Sequence, residues 1–180
     1  MMDKFSRKHH NGVPELSVDW QMVFTDALPR VYHYFCYKVG NIQLAEDLTA
    51  ATFEKAWKNH CRYDPGKGQP HAWIIGIAHN VTADHFRKKD LELSIETFSN
   101  SLAAPSADED LQKRLDFQFI LNMLKRYPRR ERELIHLKYG AELSNREIAQ
   151  LTGLSESNVG TILHRVVGKL RTEWEKYHER

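Results

Sequence analysis

The stretch from Leu143 to Arg171, LSNREIAQLTGLSESNVGTILHRVVGKLR, leaves this chain the least freedom. Ser144 and Glu147 stand in S-x-x-E spacing, a capping box that predicts a helix beginning just after Ser144. Ile148, Ala149 and Leu151 give that short helix an apolar face. Gly153 falls where the helix must stop, since a tight turn between helices calls for a residue that tolerates positive φ. Leu154 can fill the angle between the two helices. Ser155 then caps a second helix, on which Val159, Ile162, Leu163, Val166 and Leu170 recur at three- and four-residue steps. The other face carries Glu156, Ser157, Asn158, Gly160, Thr161, His164 and Arg165. That polar surface is of a size to enter a major groove and meet base edges and phosphates. A helical hairpin with a merely solvated face is the plainer alternative. Cap, turn and groove-sized face arriving together favour a DNA-binding helix-turn-helix.

The purpose of the DNA binding has to come from the rest of the chain. Its 180 residues allow one domain or two small ones, and 4 Trp, 7 Tyr and 8 Phe argue for packed cores. A net charge of +2 places any nucleic-acid binding in local basic patches rather than in overall charge. Cys36 and Cys61 have no C-x-x-C spacing, and Cys36 sits among apolar neighbours as a core residue, so a reduced, cytoplasmic protein is expected. The opening MMDKFSRKHH has no apolar segment and does not read as a signal peptide. The longest apolar run, Trp73 to Ala78, is too short to span a membrane. The 10 His residues show no zinc-site spacing, and no cofactor or metal is expected. No nucleophile–base set or glycine-rich phosphate cradle appears, so an enzyme is not expected either.

The chain is all helical in pattern. Residues 1–14 read as a loose arm. Trp20, Val23, Phe24, Leu28, Val31, Phe35 and Val39 then mark a helix that Pro29 must kink or restart, and Gly40-Asn41 ends it. A second helix spans about Gln43 to Asn59, with Leu44, Ala45, Leu48, Phe53, Ala56 and Trp57 inward. Glu46, Asp47, Thr49, Glu54, Lys55 and Lys58 form its polar side. After the turn-rich RYDPGKGQP, a third helix runs from about His71 to Lys89. Trp73, Ile74, Ile77, Ala78 and Val81 face its core, while Asn80, Asp84, Arg87 and Lys88 make one exposed stripe. Residues 91–109 are acidic and rich in Ser and Ala, a flexible linker between two small helical domains, 15–90 and 110–180. Leu115, Phe119, Ile120, Met123 and Leu124 then form an inner helix face. Arg130 to Tyr139 makes a further helix, with Gly140 as its C-cap.

Three segments carry a family resemblance: AEDLTAATFEKAW from Ala45, WIIGIAHNVTADHFRKK from Trp73, and PRRERELIHLKYGAELSNREIAQLTGLSESNVGTILHRVVGKLR from Pro128. In this order they resemble the regions of extracytoplasmic-function sigma factors, small bacterial sigma factors of two helical domains and a linker. The resemblance implies a protein that acts without catalysis. It would bind core RNA polymerase and direct it to promoters for a specialised, stress or envelope type gene set. Its first domain would read and melt the minus-ten element and its second would read the minus-thirty-five element. It also implies contacts with the beta-prime clamp helices and the beta flap, and an anti-sigma factor as a further partner, with no direct membrane insertion.

Carried onto this sequence, the resemblance assigns Asp47, Leu48, Thr49, Phe53 and Lys55 to polymerase binding. The family's motif continues with a Gln-Glu pair where this chain has Ala50 and Ala51. Asn80 matches a position that contacts the non-template strand, where an amide offers both donor and acceptor. Tyr63 is placed to stack on an exposed base, and Arg87, Lys88 and Lys89 to meet phosphates. Trp57 and Trp73, both on apolar faces, are expected in the core. Arg146, Ser157, Asn158, Thr161, His164 and Arg165 would read the minus-thirty-five element, with Arg129 and Arg130 as further phosphate contacts. The family's usual basic residue at Gly160 and Arg at Ile162 are absent. A helix-turn-helix regulator that is not a polymerase subunit is the competing reading, and would bind as a dimer.

Overall fold

A computed structural model describes residues 18–92 and 111–178, with side chains described for 18–87 and 115–177. The arm (1–14) and nearly all of the linker (91–109) lie outside the described residues. Seven α-helices make up the described chain: α1 (Trp20–Val39), α2 (Ile42–Asn59), α3 (Pro70–Glu92), α4 (Leu111–Leu124), α5 (Arg129–Ile135), α6 (Asn145–Thr152) and α7 (Glu156–His178). No strand occurs among the described residues.

Local chemistry sets the ends of these helices. Asp19 accepts from the Gln21 and Met22 amides, both at 3.1 Å, and caps α1. Gly40, at φ 64°, closes it by donating to the Cys36 carbonyl at 3.1 Å. Asn41 then caps α2 through the Leu44 amide at 2.9 Å. Of the two outcomes expected at Pro29, a kink or a restart, the restart does not occur: α1 continues through it as one element.

α1, α2 and α3 pack together around Val31, Tyr34, Phe35, Ala45, Ala56, Ile74, Ile75 and Ala78. Ile75, absent from the expected inner face, is fully buried. The second unit packs Leu121, Leu124, Leu134, Leu137, Leu143, Ile148, Val159 and Val166. Leu115, expected inward, is 49% exposed, and Leu121 takes the inner position instead.

Between α5 and α6 the chain makes a π turn, His136–Gly140, in which the Ala141 amide donates to the His136 carbonyl at 3.0 Å. Gly140 is therefore not a left-handed cap. A Cβ on it would lie 3.0 Å from Tyr34 Cα, so the residue is glycine because the π turn presses against α1. Glu142, at φ 56°, reverses the chain after this turn. The two units thus share one continuous core.

Candidate functional site

The helix-turn-helix is built as the sequence predicts. Ser144 Oγ accepts from the Glu147 amide at 3.2 Å, and Glu147 accepts from the Ser144 amide at 2.8 Å, closing the capping box of α6. Gly153 ends α6 at φ 72°. Ser155 caps α7 through the Asn158 amide at 3.2 Å. Val159, Ile162, Leu163 and Val166 are buried on the inner side of α7. Ser157, Asn158, Thr161, His164 and Arg165 all lie on the exposed side of α7, and Arg146 is exposed near the start of α6. Ile162 belongs to the core side of α7, where a charged side chain would have to be buried. Arg165 is not idle, because its Nη2 donates to Glu131 at 2.6 Å.

On α3, Asn80 and Arg87 are exposed, and Arg87 pairs with Asp84 at 2.9 Å. The side chains of Lys88 and Lys89 lie outside the described residues. Tyr63 is half-buried rather than free. Its ring makes edge contacts with Trp20 and Trp73, and its hydroxyl donates to the Gly68 carbonyl at 2.8 Å. The turn-rich loop thereby hangs on an aromatic cluster that also includes Phe24 and Phe53.

On α2 the expected polymerase face divides. Asp47 and Lys55 are exposed, and Lys55 reaches Asp84 at 3.4 Å. Leu48 and Thr49 are each only 6% exposed, and Thr49 donates to the Ala45 carbonyl at 2.6 Å. Thr49 is thus a core residue, not part of the polar side: its position falls where α2 turns towards its neighbours. Phe53 is partly buried against Phe24. Trp57 corrects the expectation in the other direction. It is 59% exposed, with His60 stacked on it at 4.9 Å. It lies one turn beyond Phe53, at the edge of the buried stripe, and helical spacing alone does not separate edge from centre.

A polar junction between the units had no signature in the sequence. Glu133 of α5 accepts from the Tyr34 hydroxyl at 3.0 Å and pairs with Lys38, both from α1. His79 of α3 stands 3.7 Å from the same carboxylate. Burial pushes the Lys38 ammonium down to about 8, helped by Arg129 and Arg132, while the adjacent carboxylate favours its charge. Burial, Lys38 and Arg129 likewise push His79 below its ordinary value. Two further pairs cross the junction, His71 to Glu147 at 3.1 Å and Arg30 to Glu142 at 3.6 Å. Burial acts upward on Glu147, but the Ser144 hydrogen bonds and His71 leave its carboxyl below the usual range. Beside Glu133 lies a cleft of about 410 Å³ walled by Lys38, His79, Arg129 and Arg130.

Among the described residues no three His, Cys, Asp or Glu side chains converge as a metal site, and no helix is long and apolar enough to cross a membrane.

The two units coincide with two known sequence families. Residues 23–92 match Sigma-70 region 2, and residues 119–170 match Sigma-70, region 4. The chain is 32% identical over 152 residues to the RNA polymerase sigma factor CarQ of Myxococcus xanthus, covering 83% of this chain and 85% of CarQ. It is 29% identical over 143 residues to the ECF RNA polymerase sigma factor BldN of Streptomyces coelicolor, covering 78% of this chain but only 54% of BldN. Its fold is similar to that of the sigma factor RpoE in its complex with the anti-sigma factor NepR from Bartonella quintana. That likeness has a TM-score of 0.71 at 21% identity and covers 87% of this chain and 97% of RpoE. With a helical region 2, a helix-turn-helix in region 4 and these relatives, the chain belongs to the extracytoplasmic-function sigma factors of RNA polymerase.

Proposed function

We propose that this chain binds core RNA polymerase as a single copy, carries it to promoters of a specialised gene set, and opens the minus-ten element. The observation that carries this reading is the order of parts. A region 2 unit ending in α3, with Asn80 outward, precedes a region 4 unit whose α7 presents Ser157, Asn158, Thr161, His164 and Arg165. In this reading Asp47, Lys55, Phe53 and the exposed Trp57 form the docking face for the beta-prime clamp helices, and region 4 meets the beta flap. Leu48 and Thr49 support that face from beneath. Asn80 reads a non-template base, and Arg87, Lys88 and Lys89 hold the adjoining phosphates. Tyr63 positions the loop and offers its ring edge to a displaced base. Arg146 stands near the N-terminus of α6, where amide groups and charge favour phosphate. The protein acts in the cytoplasm, without catalysis and without a cofactor, and an anti-sigma factor holds it in reserve. The likeness to RpoE bound to NepR supports that last step.

The test is transcription in vitro with purified core polymerase on sheared genomic DNA of the source organism, followed by sequencing of the new 5′ ends. Discrete protein-dependent starts sharing two spaced upstream elements are expected. DNA binding without any start, and with paired half-sites, would overturn the reading in favour of a helix-turn-helix regulator.

A further inference from the structure

Between Glu156 and Arg165 the outward face of α7 carries one permanent cation, Arg165, since neither Gly160 nor Ile162 is basic. Its effect depends on where it points. An arginine side chain turns about several bonds, and its planar fork tells one base from another only when its N–H groups lie in the plane of the base edge. The direction of this guanidinium therefore bears on what α7 reads.

That direction is set from α5. The helix packs across α7, and Leu134 and Ile135, 1% and 3% exposed, fix its second half in the core. Glu131 stands three residues before Leu134, on the same side of α5 and so turned towards α7. Its side chain is 16% exposed, against 54% for Arg165, and it accepts from Arg165 Nη2 at 2.6 Å. Among the described residues Glu131 has no other hydrogen-bond or ion-pair partner. Glu173, the other carboxylate beside Tyr127, is engaged by the Tyr127 hydroxyl at 3.2 Å and by Arg126 at 3.8 Å.

Stability does not account for the pair. Arg165 is more than half exposed, and an ion pair so open to water adds little to folding. A carboxylate beside a face that meets phosphates also costs affinity, since it repels them. What Glu131 supplies is direction. With one N–H of Nη2 held by a carboxylate on an anchored helix, the plane of the guanidinium is set before DNA arrives. The second N–H of Nη2 and those of Nη1 and Nε stay available for paired bonds to O6 and N7 of a guanine.

We propose that Glu131 is a positioning residue for base recognition: it holds Arg165 in the orientation that distinguishes guanine from the other bases of the minus-thirty-five element. The inference rests on the reading of α7 given above.

The test is transcription in vitro with core polymerase and the full chain. The template is a promoter recovered by the 5′-end sequencing above, varied to all four bases at each minus-thirty-five position. Arg165→Ala identifies the pair that Arg165 faces, as the position where base preference is lost. At that pair Glu131→Met, which keeps the length of the side chain and removes the acceptor, should cut the preference for guanine by about tenfold. Preferences elsewhere in the element should stay as in wild type. Glu131→Gln still offers an oxygen to Nη2 and should retain most of the preference. Binding to DNA of unrelated sequence should hold or tighten in both variants, because a negative charge is gone, whereas a merely structural defect would weaken it. In the Arg165→Ala background Glu131→Met should change nothing further. Helical content and urea midpoint show whether each variant is folded, and Glu131→Ala is read in place of Glu131→Met if the longer side chain disturbs α5. Preference for guanine kept in Glu131→Met, or lost equally at every position, would overturn the inference while leaving α7 as the reader. Arg165→Ala with every base preference intact would instead overturn the role of Arg165 on which it rests. No starts from any form, wild type included, would sink the sigma-factor reading itself and this inference with it.

Discussion

His136 should make this protein acid-sensitive by an amount that can be worked out beforehand. Its ring lies in the π turn, 6% exposed, and Nδ1 is buried without a hydrogen-bond partner. Burial, with Lys38 and Arg132 nearby, pushes its pKa from 6.5 down to about 3. In the unfolded chain the imidazole returns to about 6.5. Between these values the unfolded chain takes up a proton that the folded chain refuses. The stability linked to His136 is therefore fully present above pH ~6.5 and drains away as pH falls towards ~3. At roughly 1.4 kcal/mol per pH unit below the unfolded pKa, the loss is about 1–1.5 kcal/mol at pH ~5.5 and about 3 kcal/mol at pH ~4.5. Urea unfolding of the wild type and of His136→Leu, from pH ~7.5 down to ~4.5, isolates the effect, since every other titrating group is common to both. The variant should gain on the wild type by those amounts as the solution is acidified. Two curves that stay parallel over that range would refute the assignment of a neutral, proton-refusing imidazole.

Arg165→Ala should weaken dependence on the minus-thirty-five element, and Asn80→Ala dependence on the minus-ten element, each by about 1–3 kcal/mol, or roughly 5- to 150-fold, in template competition. Exchanged effects would mean that the units are assigned backwards. Trp57→Ala should leave the unfolding free energy in urea within about 1 kcal/mol of wild type, because the ring is 59% exposed, yet lower affinity for core polymerase in a pull-down titration. Unchanged affinity would remove Trp57 from the docking face. Ser144→Ala deletes the hydroxyl that accepts from the Glu147 amide at 3.2 Å and should cost about 1 kcal/mol in urea unfolding. No measurable cost would mean that the box contributes nothing to α6.

What could be read from the residues followed short-range rules. The capping box, the left-handed Gly153 and the buried series Val159, Ile162, Leu163 and Val166 are fixed within a turn or two of chain, and all stand as expected. Trp57, Thr49 and Leu115 were misplaced for a common reason. Each lies at the edge of an apolar stripe, where the neighbouring helix decides which side is covered. Sequence pattern makes Gly140 a helix cap, whereas the cause of the glycine lies about a hundred positions upstream in the backbone of Tyr34. Glu133 has no place in any sequence pattern. Only the meeting of α1, α3 and α5 gives it Tyr34, Lys38 and His79 as company. Pairings set by tertiary contact leave no periodic trace in one sequence.

The π turn has a consequence for chain length. A bond from Ala141 back to His136 encloses one residue more than an α-helical turn. Each residue of an α-helix advances the chain by about 100° around its axis. Deleting one residue between His136 and Gly140 would let the turn close as ordinary helix, and everything after it would swing by about that angle. The caps of α6 and α7 are local and could persist, but the buried face of α7 would no longer meet α4 and α5. The way the helix-turn-helix meets α5 is thus set by a single surplus residue lying outside it, and a one-codon deletion there should destabilise the second unit, because α5 and α7 would lose their present packing.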